Sequence, residues 1–143
     1  MNQLGSALNQ IDDPPIQSLY VYHSNPAAVT PDQNQVLKGL ARKDLFTVVH
    51  ERFMTDTARY ADVVLPSTSS LEHSDLYRAY GNYGIQRVRP VILPVGESKS
   101  NWEVFSLLAE AMEFQEPFFR QTAEELIHRV LSIPNAMRKG IDE

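Results

Sequence analysis

Residues 44–51 read DLFTVVHE, and residues 55–66 read TDTARYADVVLP. Each stretch contains an apolar run of the length of a buried strand, and polar, loop-forming residues or a proline follow each run. A third run, LYVYHSNP at residues 19–26, ends in an Asn-Pro corner, because the residue before a proline is pushed out of the helical region. We therefore predict three strands, at Leu19–His23, Leu45–His50 and Asp62–Leu65.

A helix is predicted between the first two strands. Residues 30–33, Thr-Pro-Asp-Gln, predict a helix start with Thr30 as N-cap and Pro31 in the first turn. Strand, helix and strand at this spacing form a parallel pair, because a parallel connection needs a crossover of this length. The sequence therefore predicts an α/β fold, three-layered and Rossmann-like, with a mainly parallel sheet flanked by helices. In such sheets ligands bind beyond the carboxyl ends of the strands.

The second half of the chain predicts less regular structure. Ser67–Tyr83 predicts a long irregular excursion, and a weak strand follows from Ile85. A capping box at Ser100–Glu103 opens a helix with an apolar stripe. The stripe consists of Val104, Phe105, Leu107, Leu108, Ala111 and Met112. Residues 122–125 open a last helix, which is expected to bury Leu126, Ile127, Val130 and Leu131.

Length and composition narrow the class of protein. The 143 residues predict one domain at 1–133 and a flexible tail at 134–143. A net charge of −5 without a basic patch argues against nucleic-acid binding. The apolar runs are too short to insert into a membrane, and the start lacks a signal-peptide pattern, so a cytoplasmic location is expected. Because the sequence contains no cysteine, it offers no disulfide and no thiolate metal ligand.

Polar residues at strand ends and helix starts are the candidate ligand contacts. The side-chain amide of Asn25 suits purine edges and phosphates, although Asn-Pro alone also indicates a simple turn. Glu51 follows a strand, where a carboxylate commonly binds ribose hydroxyls; a solvated charge is an equal alternative. Thr55 and Thr57 lie at a short helix start that suits phosphate; the alternative is that Thr55 only caps this helix. Asp62 is expected to cap loop amides.

Other constellations do not support an alternative chemistry. Ser67, His73 and Asp75 have the residue types of a hydrolytic triad, but they share one loop and no nucleophile elbow is present. The four histidines never fall at i and i+4, so a zinc site is not indicated. Neither a Gly-x-Gly-x-x-Gly motif nor a Walker loop occurs, so an ordinary NAD or ATP site is unsupported.

Five phrases occur in an order and spacing that resemble one family. They are Ser24-Asn25-Pro26, Thr55–Ala58, Tyr60–Pro66, Leu71-Glu72 and Gly96–Trp102. Over residues 19–102 the chain resembles part of a molybdopterin oxidoreductase of the dimethyl-sulfoxide-reductase and formate-dehydrogenase type. Enzymes of this type are several times longer and hold molybdenum or tungsten between two molybdopterin guanine dinucleotides.

The resemblance implies a role for this region and for its residues. The region corresponds to a guanosine-side portion of the dinucleotide-binding domains. Asn25 and its loop would touch the nucleotide, and His50 and Glu51 would lie at the guanosine. His73 would make a polar dinucleotide contact, and Asn101 would face the guanine. The whole enzyme would carry out two-electron chemistry on a small substrate, while this portion grips the cofactor.

The chain departs from the family pattern at two places. Asn101 stands where the family often has Asp, and an amide accepts only through its oxygen. Residues 80–86, YGNYGIQ, replace an Asn-x-Glu-Arg pattern and resemble a branch of uncharacterised anaerobic dehydrogenases, so the substrate stays undefined.

We expect the isolated chain to be inactive, to carry no cofactor, to pair with the remaining domains of the parent enzyme and to self-associate. The alternative function is a stand-alone α/β binding module without cofactor or catalysis.

Overall fold

A computed structural model of the chain describes residues 3–81 and 84–132. The chain forms two compact units, one from Met1–Thr68 with Gly96–Lys99 and the other from Ser69–Val95 with Ser100–Glu143. The single domain at residues 1–133 stays a prediction. The predicted flexible tail, residues 134–143, lies outside the described residues.

The first unit contains a three-stranded parallel sheet. Its strands are β1 (Ser18–Tyr22), β2 (Phe46–Glu51) and β3 (Val63–Pro66), in the order β1-β2-β3. In the central strand Val49 pairs with Val21 on one side and with Val64 on the other. Each strand lies within one residue of its predicted bounds, and helices flank the sheet. The predicted α/β class with parallel pairing is confirmed.

Three helices and one 3-10 turn complete the first unit. The helices are α1 (Leu4–Gln10), α2 (Pro26–Val29) and α3 (Gln33–Leu40), and the 3-10 turn covers Ala58–Tyr60. The main core cluster joins these helices to the start of β2 through Leu8, Ala27, Val36, Leu40 and Leu45. A second cluster packs the 3-10 turn on the sheet through Val21, Val49 and Ala58.

Thr30 does not begin a helix, so its predicted role as N-cap is wrong. Residues 26–29 form a helical turn of their own, and the Thr30 amide donates to the Pro26 carbonyl at 3.1 Å, which places Thr30 at the end of α2. The next helix starts at Gln33, with Asp32 as N-cap in the left-handed conformation (φ 57°). The pattern of residues 30–33 could not show that proline at position 26 had already started a helix.

The second unit contains a hairpin and two longer helices. Strands β4 (Asp75–Arg78) and β5 (Ile85–Val88) pair in antiparallel orientation, so the irregular excursion predicted over residues 67–83 in fact contains a strand. The sequence did not indicate this strand because three of its four residues are exposed and two of them are charged, so β4 shows no apolar alternation. The helices are α4 (Asn101–Ala111) and α5 (Ala123–Ser132). None of the described helices is long and apolar enough to cross a membrane.

Both predicted helix starts in the second unit are confirmed. The Ser100 hydroxyl accepts from the Glu103 amide, and the Glu103 carboxylate accepts in return from the Ser100 amide at 2.8 Å. Thr122 and Glu125 form the same reciprocal pair before α5. Such a box satisfies amide donors that a helix leaves unpaired at its start.

The apolar stripe of α4 is largely exposed, whereas that of α5 buries Ile127 and exposes Val130. Leu107, Leu108 and Met112 of α4 are 48%, 41% and 57% exposed, and Val130 of α5 is 50% exposed. The prediction that Val130 is buried is therefore wrong. Periodicity predicts which face of a helix is apolar, but burial also needs a surface that covers it. Self-association through such surfaces stays a prediction.

A close approach of α1 to α3 predicts the effect of a single methyl group. A Cβ at Gly39 would lie 2.6 Å from the Leu8 Cβ. We expect Gly39→Ala to destabilise the chain by about 1–2 kcal/mol, because overpacking of about 1–3 kcal/mol exceeds the helix-propensity gain of about 1 kcal/mol. Urea unfolding measures the change, with the exposed Lys38→Ala as control. An equal or greater stability of Gly39→Ala would contradict the close packing.

Glu72 ties the two ends of the 69–95 segment together. Its carboxylate accepts hydrogen bonds from the backbone amides of Ser69 at 2.5 Å and Val95 at 2.7 Å. The hydrogen bond from the Ser69 side chain contributes most, followed by these amides, in holding the pKa of Glu72 below its ordinary value of 4.5. The ionised Glu72 carboxylate therefore holds Ser69 and Val95 close to each other.

The depressed pKa of Glu72 predicts a pH-dependent stability. The contribution of the ionised carboxylate is present above pH 4.5 and is lost as the pH falls through the folded-state pKa. We expect Glu72→Gln to lower the urea midpoint at neutral pH and the difference from the parent to narrow in acid. The control is Glu110→Gln at an exposed position. A difference that stays constant across this range would contradict the role of the charge.

Candidate functional site

The carboxyl ends of β1, β2 and β3 lie at one edge of the sheet. Backbone hydrogen bonds continue past the strands, from the His23 amide to the His50 carbonyl at 3.3 Å and from the Ser67 amide to the Glu51 carbonyl at 3.1 Å. Three polar segments that are separated in sequence are thereby held side by side. This edge is where open α/β sheets bind their ligands.

Partly buried Asn25 and fully buried Thr57 form a hydrogen-bond pair beside this edge. The Asn25 Oδ1 accepts from the Thr57 amide at 3.1 Å and from the Thr57 hydroxyl at 2.8 Å, and the Thr57 hydroxyl accepts from the Ala27 amide at 3.0 Å. The Asn25 Nδ2 donates to the Asp56 carboxylate at 3.4 Å. Through these hydrogen bonds the fully buried Thr57 joins the loop after β1 to the loop after β2.

His50 is fully buried and bonds to the return of the chain at residues 96–99. Its Nε2 donates to the Lys99 carbonyl at 3.1 Å, since a carbonyl oxygen can only accept. Its Nδ1 is buried and has no hydrogen-bond partner among the described residues. An unpaired buried polar atom costs about 1–3 kcal/mol, so it marks a position that needs an explanation. A direct nucleotide contact by His50 stays a prediction.

The Glu51 side chain lies at the end of β2 and is 10% exposed. One carboxylate oxygen accepts from the Arg52 amide at 2.7 Å, and the Arg52 Nε lies 3.9 Å from the same oxygen. A carboxylate oxygen has more than one lone pair, and the second oxygen adds further acceptor sites. Glu51 can therefore accept from ligand hydroxyls without losing its local bonds.

Thr55 and Asp62 serve the backbone, as the capping alternative predicts. The Thr55 hydroxyl accepts from the Ala58 amide at 3.2 Å at the start of the 3-10 turn. The Asp62 Oδ2 accepts from the Thr47 amide at 2.7 Å, next to the β2–β3 pairing. Residues 55–61 form only this single 3-10 turn, not the two helical turns that their length allows.

His23 and Ser67 join the edge, although the sequence did not indicate them as partners. The His23 Nε2 lies 3.0 Å from the Ser67 Oγ, and the His23 ring centroid lies 6.3 Å from that of His50. His23 has a positive φ of 47°, a conformation that is uncommon for a residue other than glycine and that often occurs at functional sites. The signal in the sequence was its position as the last residue of the first predicted strand.

His73 and Asn101 belong to the second unit. The His73 Nε2 lies 3.8 Å from the Asp75 carboxylate. Asn101 is the first residue of α4, and its Oδ1 is buried without a hydrogen-bond partner among the described residues. The predicted cofactor contacts of both residues stay predictions. The first unit thus brings together Asn25, His50, Glu51 and Thr57.

The groups at the strand ends suit a nucleotide better than a metal ion. The Glu51 carboxylate can accept from ribose hydroxyls, and the Asn25 amide nitrogen can donate. Within residues 3–81 and 84–132, no group of three or more His, Cys, Asp or Glu side chains could hold a metal ion. A parallel sheet with a polar carboxyl edge is typical of α/β domains that bind a cofactor.

A family model described as molybdopterin oxidoreductase matches residues 2–111. The chain therefore belongs to the molybdopterin oxidoreductase family, and the resemblance of the five sequence phrases is confirmed. Membership of this family implies a molybdopterin cofactor with a metal.

The similar proteins named here are much longer than this chain. The probable oxidoreductase YoaE of Bacillus subtilis is 53% identical over 135 residues, which are 94% of this chain and 20% of that protein. The dimethyl sulfoxide/trimethylamine N-oxide reductase of Rhodobacter capsulatus is 33% identical over 69% of this chain and 12% of its own length. Acetylene hydratase from Pelobacter acetylenicus superposes with a TM-score of 0.70 at 29% identity, over 80% of this chain and 16% of that one. The chain spans a fifth or less of each.

The Asn25–Thr57 pair predicts a loss of stability when its acceptor is removed. We expect Asn25→Ala to destabilise the chain by about 1–3 kcal/mol, because the buried Thr57 amide loses its acceptor. Urea unfolding measures this change. The control is Ser24→Ala at the exposed neighbouring position. Equal midpoints for the two variants would show that the pair does not hold the loops together.

Proposed function

We propose that this chain is the guanine-nucleotide-binding portion of a molybdenum- or tungsten-dependent oxidoreductase. The observation that carries the proposal is the gathering of Asn25, Glu51 and Ser67 at one carboxyl edge of a parallel sheet, in a chain of the molybdopterin oxidoreductase family. The ligand would be a molybdopterin guanine dinucleotide. When bound, this cofactor would supply two-electron redox chemistry in the whole enzyme.

Each residue of the proposed site has a role that follows from its hydrogen bonds. Glu51 accepts from the ribose hydroxyls, and Asn25 donates through its amide nitrogen while its oxygen stays bonded to Thr57. Thr57 and His50 contribute by positioning, since both are fully buried. His73 and Asn101 are further contacts in this proposal, with Asn101 facing the guanine. The orphaned Asn101 Oδ1 supports that role, because guanine carries N–H donors.

Binding and positioning are what these residues can do chemically. The described residues hold no cluster of metal ligands, so the metal and its substrate would be served by other parts of the longer protein. The remaining domains of that protein are the partners we propose, and the lack of activity of the isolated chain stays a prediction. The cytoplasmic location also stays a prediction.

The proposal predicts a weak preference for guanine nucleotides in the isolated chain. We expect GDP to bind at about millimolar affinity, about −4 kcal/mol, because part of a site keeps only some of its contacts. An NMR titration should show GDP shifting the signals of Asn25, His50, Glu51 and Asn101 more than ADP does.

Variants of Asn101 sharpen this test. Asn101→Asp should raise the preference for GDP over ADP about fivefold, about 1 kcal/mol, because a carboxylate accepts two guanine donors. Asn101→Ala should lower it. The matched control is Asn34→Asp, which adds the same charge at an exposed position of α3. Equal shifts with GDP and ADP, or no shifts at these four residues, would reject the site and favour a binding module without cofactor.

A further inference from the structure

The return segment Gly96–Lys99 brings one lysine to the carboxyl edge of the sheet. Gly96 has a φ of +59°, which a residue with a side chain rarely adopts, and this turn leads the chain back to the end of β3. There Ser67 and Lys99 form a parallel β-bridge. Lys99 therefore lies beside the strand that ends next to Glu51.

The backbone of Lys99 is fixed by three hydrogen bonds. Its amide donates to the Pro66 carbonyl at 3.1 Å, and its carbonyl accepts from the Thr68 amide at 3.1 Å. The same carbonyl accepts from the Nε2 of the fully buried His50 at 3.1 Å. A loop residue with both backbone groups bonded to the sheet has a fixed position at this edge.

The side chain of Lys99 remains available for a ligand. Lys99 is exposed, and its ammonium has no partner among the described residues. The end of β2 carries the Glu51 carboxylate and the loop after β2 carries that of Asp56, and Arg52 Nε lies 3.9 Å from the Glu51 carboxylate. A phosphate group that approaches these carboxylates needs a nearby cation, and lysine binds phosphate as a mobile point charge.

We infer that Lys99 is a phosphate-binding residue of the proposed nucleotide site and that His50 positions it through the Lys99 carbonyl. This inference rests on the proposed function and adds the contact for the diphosphate, which Asn25 and Glu51 do not supply. It also gives buried His50 a role that requires no contact with the ligand.

The test compares GDP with guanosine, which lacks the phosphates. We expect Lys99→Gln to weaken the binding of GDP about fivefold in NMR titrations and to leave the binding of guanosine unchanged. Lys99→Arg should retain the binding of GDP because the charge is kept. The matched control is Lys38→Gln, which removes the same charge from the exposed face of α3 and should leave both ligands unaffected.

His50 variants test the positioning role. His50→Leu should weaken the binding of GDP as much as Lys99→Gln does and should speed hydrogen exchange at the Thr68 amide. His50→Gln keeps a side-chain N–H donor, so it should restore GDP binding and the slower exchange. Equal loss of GDP binding in the Gln and Leu variants, with unchanged exchange at Thr68, would overturn this role.

The remaining outcomes separate the two proposals. If the parent chain binds GDP and Lys99→Gln behaves as Lys38→Gln does, the phosphate contact is wrong and the nucleotide site stands. If Lys99→Gln weakens the binding of GDP and of guanosine equally, the phosphate contact is also rejected, since this result would indicate a structural effect. If the parent chain binds neither ligand, the proposed function and this inference both fail.

Discussion

The parallel pairing of β2 with a strand on each side is the constraint on which the rest of the first unit depends. Val49 pairs with Val21 and with Val64, so all three strands run in one direction. Their carboxyl ends must then meet at one edge. Residues that are 20 to 50 positions apart in the chain become neighbours there, as the bond between His23 and Ser67 shows.

Many polar side chains at this edge hold the backbone in place. The Asn25 oxygen, Thr57, Asp62 and the Nε2 of His50 are each bonded to another part of the chain. Such bonds fix the loops but leave few groups for a ligand. The Glu51 carboxylate and the exposed Lys99 are groups that keep capacity for one, and they have the charges that ribose and phosphate require.

The sequence predicted the strands well because their signals are local. Short apolar runs that end in loop-forming residues placed β1, β2 and β3 within one residue, and the capping boxes placed the starts of α4 and α5. Family phrases also predicted the family that the comparisons confirm. Local patterns were sufficient for these strand bounds and helix starts.

The failures arose where the deciding contact lies outside the short pattern from which the prediction was made. Thr30 has a good capping sequence, but the turn at Pro26–Val29 already uses it. Val130 lies on the apolar stripe of α5 but is 50% exposed, although Ile127 on the same helix is buried. The bond from His50 to Lys99 spans 49 residues, so no local pattern could show that a buried histidine holds the return segment. Long-range hydrogen bonds of this kind, which local patterns do not show, position the residues of the candidate site.

A crystal structure of the chain with GDP tests the central claim most directly. The account predicts the nucleotide at the carboxyl ends of β1 and β2, with a ribose hydroxyl within hydrogen-bond distance of Glu51. A nucleotide bound at the amino ends of the strands, or no nucleotide at a saturating concentration of GDP, would contradict it.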